Sequence, residues 1–290
     1  MLVDAVRAES FRLSKSRTTW FWSVFFVPIM SVAFGALTSF VVNANAKGLA
    51  ADTKAPTQLT SMLTGGPLDL GQALVTSSAA LAGPAVLLFL LIGAATLYAG
   101  DYRWETWRLI SARNTRVDLL LGKLAVVAGL ALVAMVFLLL AGVIENLIRA
   151  AIFGRTLSFS MTGEDVGQFL AYSGLSWLRI VQFTMMGMLG AVITRSLLVA
   201  LFVPMVLGVV QFFTPQALLP MGFMPDSWLA IMVNPGAATD AIKAVIEGGA
   251  AAAQLPDGIV VKAWTSLAVW TLVPLAGALV WFKRQDLSKE

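Results

Sequence analysis

The 290-residue chain contains no cysteine and no histidine. Without cysteine there is no disulfide framework and no thiolate chemistry. Without histidine there is no imidazole base, no Ser-His-Asp triad and no His-ligated zinc or haem. Charge is scarce as well: 12% of residues are charged, against roughly 25% in a soluble domain. What fills the chain instead is apolar, with 58% hydrophobic residues and a mean hydropathy of +0.83. Too few polar groups remain to coat a water-facing surface, which argues against a soluble globule, a disordered chain and a nucleic-acid binder. The net charge is only +4, so its distribution matters more than its size.

Long runs without charge dominate the pattern. About 20 apolar residues cross a bilayer core. Residues 18–46, 75–100, 124–144, 196–225 and 263–282 carry no charge, and 169–194 carries Arg179 alone. Six spans are predicted, near 19–42, 75–100, 119–144, 169–194, 197–213 and 263–282, in a single transmembrane domain over 1–290. Ala44-Asn45-Ala46 resembles a small-residue cleavage site. The apolar run before it, however, is about twice the 7–15 residues of a signal h-region, so a retained helix is expected. Six spans put both termini on one side. The connections and tails of that side hold thirteen Lys and Arg against seven Asp and Glu, and the other side six against nine. The basic excess marks the cytoplasmic face, so both termini are expected in the cytoplasm. Connections on the outer side, such as 50–71, are long and rich in Gly, Pro, Ser and Thr. The connection 214–262 is apolar but broken by Pro215, Pro220, Pro225 and Pro235, which predicts short helices that re-enter the outer leaflet or lie on the outer surface. The fold class expected is an all-α polytopic membrane protein.

Two cytoplasmic segments carry candidate chemistry. In residues 1–17, a helical wheel puts Leu2, Val3, Val6, Ser10 and Leu13 on one face, with Asp4, Arg7, Arg12 and Lys15 opposite and Phe11 off the stripe. This suits a helix lying in the membrane interface. It is either an anchored leader or a docking surface, for which Val6, Arg7, Phe11 and Arg12 are the candidate residues. In the connection 101–117, Trp104, Trp107 and Arg108 share one helical face, and Trp and Arg are favoured protein-contact residues. The alternative is an ordinary basic loop with interfacial aromatics.

This second segment resembles the loop after the second span in permeases of type 2 ABC transporters. Asp101, Glu105-Thr106, Leu109-Ile110, Arg113 or Arg116, and Gly122-Lys123 match that family's pattern. A proline often found before the arginine is absent here. The basic leader, the six spans, the broken connection before the last span and the ending Phe282-Lys283-Arg284-Gln285-Asp286-Leu287 agree, so the resemblance covers the whole chain. It implies a bacterial inner-membrane exporter subunit that does no covalent chemistry. Its partners would be a second permease copy, as a homodimer or with a related chain, two cytoplasmic ABC ATPase subunits and membrane lipid. No cofactor is expected in this chain; ATP and magnesium would sit on the ATPase. No Gly-x-x-x-x-Gly-Lys-Ser/Thr loop is present, since Leu124 follows Gly122-Lys123. The ATPase-coupling residues implied are Arg103, Trp104, Glu105, Thr106, Trp107, Arg108 and Arg113. An apolar or amphipathic cargo is expected. The competing readings are a self-contained secondary transporter or channel, which needs intramembrane carboxylates or a repeat, and a passive membrane anchor of a complex.

The remaining polar positions are Arg179, Gln182 and Gln211, candidates for a translocation path. An intramembrane Arg is a functional-site hypothesis by default. If its helix begins near Gly174, the side chain instead snorkels to the outer interface, and this is the outcome expected. The two glutamines are expected to bond neighbouring helices. Glu145 and Arg149 are spaced for a local ion pair, and Pro28, Pro84, Pro204 and Pro274 are expected to kink spans.

Overall fold

A backbone surrounded by lipid must pair its own N–H and C=O groups, and an apolar run does this by coiling into a helix. The computed structural model describes residues 2–46, 48, 63, 66–103 and 115–285. Over these residues the chain is almost wholly helical, and six helices are long and apolar enough to cross a membrane. The chain is an all-α, multi-pass membrane protein.

In chain order the helices are α1 (Leu2–Lys15), α2 (Arg17–Ala44), α3 (Leu70–Ala80), α4 (Pro84–Arg103), α5 (Arg116–Phe153), α6 (Gly163–Thr194), α7 (Leu197–Leu218), α8 (Trp228–Val233), α9 (Pro235–Glu247), α10 (Gly249–Ala253) and α11 (Ile259–Arg284). The six spans are α2, α4, α5, α6, α7 and α11. The expected second span, 75–100, divides in two. Helix α3 ends at Ala80, and Pro84 opens α4 at a position where its missing N–H costs nothing. Pro84 therefore starts a span instead of kinking one. Pro204 and Pro274 do lie inside helices. In α2 a π turn over Phe21–Phe25 precedes Pro28, which has no N–H to offer the carbonyl one turn back.

Helix starts are written in short polar side chains. Thr115 accepts a hydrogen bond from the Asp118 N–H at 3.1 Å and caps α5. Thr162 and Asp165 form a reciprocal capping box on α6. Helix α6 is the most enclosed span, packed on α3, α4, α7 and α11, while α2 runs along α5. Spans α2, α7 and α11 leave most of their apolar surface outward, including Phe34, Phe40, Phe202, Phe212 and Leu272. Exposed apolar side chains of this number are the mark of a lipid-facing surface.

The helix α1 and the end of α11 lie at one end of the bundle, called here the terminal end. There Arg116 Nη1 donates to the carbonyls of Phe282 (3.1 Å), Lys283 (3.2 Å) and Gln285, closing the last turn of α11. Gln285 in turn donates to Val192 O and accepts from the Tyr102 hydroxyl. The starts and ends of four spans are thus tied together.

At the far end, Leu68–Asp69 pairs in parallel with Leu157–Ser158. The Asp69 carboxylate accepts from Gly71 N (2.8 Å), Gln72 N (3.2 Å), Ser160 N (3.2 Å) and the Ser160 hydroxyl. A side chain on Gly71 would strike Ser160 O. These donors, the Ser160 hydroxyl foremost, hold the Asp69 pKa down from 3.8 to about 2. A carboxyl depressed on folding stabilises above its unfolded pKa and loses that contribution as pH falls through its folded one. The stability gap between wild type and Asp69→Asn should therefore be constant above pH 3.8 and shrink as pH falls towards about 2. Thermal unfolding across pH checks this; a gap independent of pH contradicts it.

Candidate functional site

Four charges meet at the terminal end. Lys123 lies about two turns into α5, Asp101 in the last turn of α4, and Glu9 and Arg12 on α1. Lys123 Nζ is 2.8 Å from Glu9 Oε1 and 2.5 Å from Asp101 Oδ2, and it donates to Leu97 O at 2.9 Å. Arg12 Nη1 is 2.7 Å from Asp101 Oδ1 and 3.4 Å from Glu9 Oε1. Glu9, Asp101 and Lys123 are 5%, 0% and 1% exposed. Two cations thus face two carboxylates, with the Arg12 side chain reaching in from the exposed side, and the cluster is neutral. Burial pulls the Arg12 pKa down, but Asp101 and Glu9 outweigh it, and the net direction is up.

The chain folds this way because α1 presents Ala5, Glu9 and Leu13, spaced four apart, to α5. Gly122 permits the contact: a Cβ there would lie 3.0 Å from Ala5 Cβ and 3.2 Å from its carbonyl carbon. The face expected from hydrophobicity is corrected. Leu2 and Val3 are exposed, Val6 is half-buried, and Arg12 reaches into the cluster instead of pointing away from the packed face. Arg7 is exposed, and so is Phe11, whose ring lies under Lys15 Nζ at 5.3 Å. Hydrophobic spacing gives Glu9 no place on the packed face, yet Lys123 neutralises it inside. Glu9 was missed as a site residue. Its signal was a carboxylate flanked by Ala5 and Leu13 on one face, together with a lysine at the start of an apolar run.

Of the implied coupling residues, Trp104, Glu105, Thr106, Trp107, Arg108 and Arg113 lie outside the described residues. Arg103 ends α4, and its side chain lies outside them as well. Both edges of that segment are nonetheless anchored, by Asp101 on one side and by Thr115 and Arg116 on the other.

A second polar centre lies in the bundle. Helix α6 begins at Gly163, not near Gly174, so Arg179 is roughly 24 Å along it at 1.5 Å per residue. Arg179 is 8% exposed and does not snorkel outward. Its Nη2 donates to Gln211 Oε1 at 3.3 Å, and Asn234 Nδ2 donates to the Gln211 carbonyl at 3.0 Å. Gln182 donates to Leu267 O (2.7 Å) and the Thr271 hydroxyl (2.8 Å), joining α6 to α11 as expected of an interhelical glutamine. The spacing of Glu145 and Arg149 also yields its ion pair, at 2.8 Å. Among the described residues no group of three or more His, Cys, Asp or Glu forms a metal site. Comparison with protein-family models, with curated proteins and with solved structures finds no match.

Removing one member of a buried ion cluster leaves an uncompensated charge, at a cost of about 3–5 kcal/mol. Lys123→Met should lose that much in denaturant unfolding in detergent. Adding Glu9→Gln leaves Arg12 and Asp101 as a neutral pair and should recover most of the loss. A Lys123→Met variant as stable as wild type, or a double variant worse than the single, contradicts the geometry.

Proposed function

We propose that this chain is the permease subunit of an ATP-driven exporter of the type 2 ABC class, acting in the cytoplasmic membrane of a bacterium with both termini inside. It works beside a second permease copy, identical or related, and two ATPase subunits that carry the ATP and magnesium. The chain itself makes and breaks no covalent bond. It moves an apolar or amphipathic cargo by rocking between inward-open and outward-open states.

One observation carries the reading. The Glu9–Lys123–Asp101–Arg12 cluster, buried except at Arg12, fuses the leader helix to the base of the second and third spans, on either side of the 104–114 segment. A partner pushing on that segment or on the leader would move α1, α4 and α5 as one lever. An unanchored leader would absorb the push in its own hinge. Coupling by contiguous rigid elements requires such a footing.

Two further features support it. The junction of α8 and α9 at Asn234 meets Gln211, seven residues before the end of α7, or about 10 Å below it at 1.5 Å per residue. This favours short helices dipping into the outer leaflet over helices lying on top of it. The outward apolar faces of α2 and α7 suit contact with lipid and with a second permease copy. The self-contained transporter is less favoured, because the buried carboxylates Glu9 and Asp101 are already committed to cations at the base.

Gentle purification from native membranes should recover an ATPase subunit with the chain. Replacing Trp104, Trp107 and Arg108 together by alanine should cut ATP-dependent transport in vesicles roughly tenfold or more, the scale expected for lost hot-spot contacts, while the ATPase still hydrolyses ATP. Transport by the lone chain without an ATPase, or full coupling in the triple variant, overturns the proposal.

A further inference from the structure

We infer that Arg179, Gln211 and the start of α9 form a binding site for the anionic head of an amphipathic molecule, whose apolar tail lies in the groove between α6, α7 and α11. The site lies within this chain and does not depend on an ATPase partner.

The argument begins with donors that have nothing to donate to. Arg179 Nη1 and Gln211 Nε2 are buried and lack a hydrogen-bond partner among the described residues. The amide orientation of Gln211 is fixed, because only its oxygen can accept from the Arg179 guanidinium. Its Nε2 must therefore present hydrogens. Helix α9 supplies a third donor. Asn234 Oδ1 takes the Ala237 N–H, and Pro235 has none, which leaves the Gly236 N–H without a partner among the described residues. Gly236 sits beside the guanidinium, since a Cβ on it would lie 3.9 Å from Arg179 Nη2.

Charge points the same way. Among the described residues no carboxylate lies within ion-pair distance of Arg179; the nearby Asp240 is largely exposed and pairs with Lys243 at 3.5 Å. The positive end of the α9 dipole therefore faces a buried cation with no anion between them. A buried charge without a counter-charge is costly, and a helix N-terminus is a ready anion site. An oxyanion held by the three donors relieves both. The cluster at the base differs in this respect, being neutral without help.

The tail follows from the groove. A cavity of about 450 Å³ runs between α6, α7 and α11, lined by Met186, Ile193, Val203, Leu207, Trp270 and Val273. Its end near Met186 and Leu207 lies one turn from Gln182 on α6 and one turn from Gln211 on α7. The lining of this apolar slot stops about one turn short of the unpaired donors, an arrangement that matches a long chain ending in a carboxylate or phosphate, and not a free inorganic ion.

The purified full chain in neutral detergent tests this, with a fluorescent 16-carbon fatty acid as probe, the corresponding alcohol as neutral control and inorganic phosphate as competitor. The acid should bind roughly tenfold or more tightly than the alcohol, the scale of lost charge-assisted hydrogen bonds. Phosphate at matched concentration should not displace it. Arg179→Gln should abolish the acid's advantage. Gln211→Glu keeps the size of the side chain and gives Arg179 an internal counter-charge, so it should fold at least as well and also lose the advantage. Equal binding of acid and alcohol by wild type, an advantage that survives Gln211→Glu, or full displacement by phosphate each overturns the inference. None of these readings involves an ATPase or transport, so they stand apart from the exporter proposal.

Discussion

A lysine amine enclosed by protein must have its charge matched on the spot, and Lys123 finds that match in Asp101 of α4 at 2.5 Å and in Glu9, which the leader helix brings to 2.8 Å. Removing α1 would take away Glu9 and Arg12 together and leave the Lys123–Asp101 pair without its cover, exposed to whatever replaced the helix. Hydrophobic contact alone would hold the leader weakly, since its packed face offers little more than Ala5, Leu13 and part of Val6. The ion cluster converts that weak contact into a fixed one, and Gly122 removes the side chain that would hold the two backbones apart. The geometry of the terminal end depends on this neutral knot. It holds the leader, the end of α4 and the start of α5 together at the edge of the 104–114 segment.

The six spans were readable in the sequence because lipid imposes one requirement on all of them: a charge-free run of sufficient length. Where a span carried extra turns beyond the bilayer, as α5 does to Phe153, apolar length underestimated the helix, because its last turns are stabilised outside the hydrocarbon by Glu145–Arg149 and by Gly154 at its end. The second span was misread because 75–100 is apolar across its whole length, and apolarity does not report that Leu81, Ala82 and Gly83 form a turn. The leader was found but rotated. Its true packing face contains a glutamate, and no hydrophobic period assigns an acid to an interior whose counter-ion lies 114 residues away.

Arg179 shows the same limit from the other side. Its position within an apolar run marked it as notable, but whether it reached solvent depended on where α6 begins and on what covers it. Thr162 and Asp165 place that start at Gly163 through a capping box. The cover comes from the proline-broken stretch between α7 and α11, whose Asn234 both caps α9 and holds Gln211. Arg179, Gln182 and Gln211 were each visible as polar residues in spans. That Arg179 meets Gln211, that Asn234 holds Gln211 and that Gln182 bonds α11 required the fold.

The account rests on α1 being docked on α5 as described, and the absence of native cysteine allows a direct measurement. Ala5→Cys with Gly122→Cys places two Cβ atoms 3.0 Å apart, so an outward shift of α1 by roughly 0.5 Å both admits the new side chain and reaches the disulfide span. Mild oxidation in membranes should link them rapidly and almost completely, whereas Val3→Cys with Gly122→Cys, with Val3 on the exposed side of α1, should stay reduced. Failure of the first pair to link, or equal linking of both, would contradict the docked leader and the charge cluster that holds it.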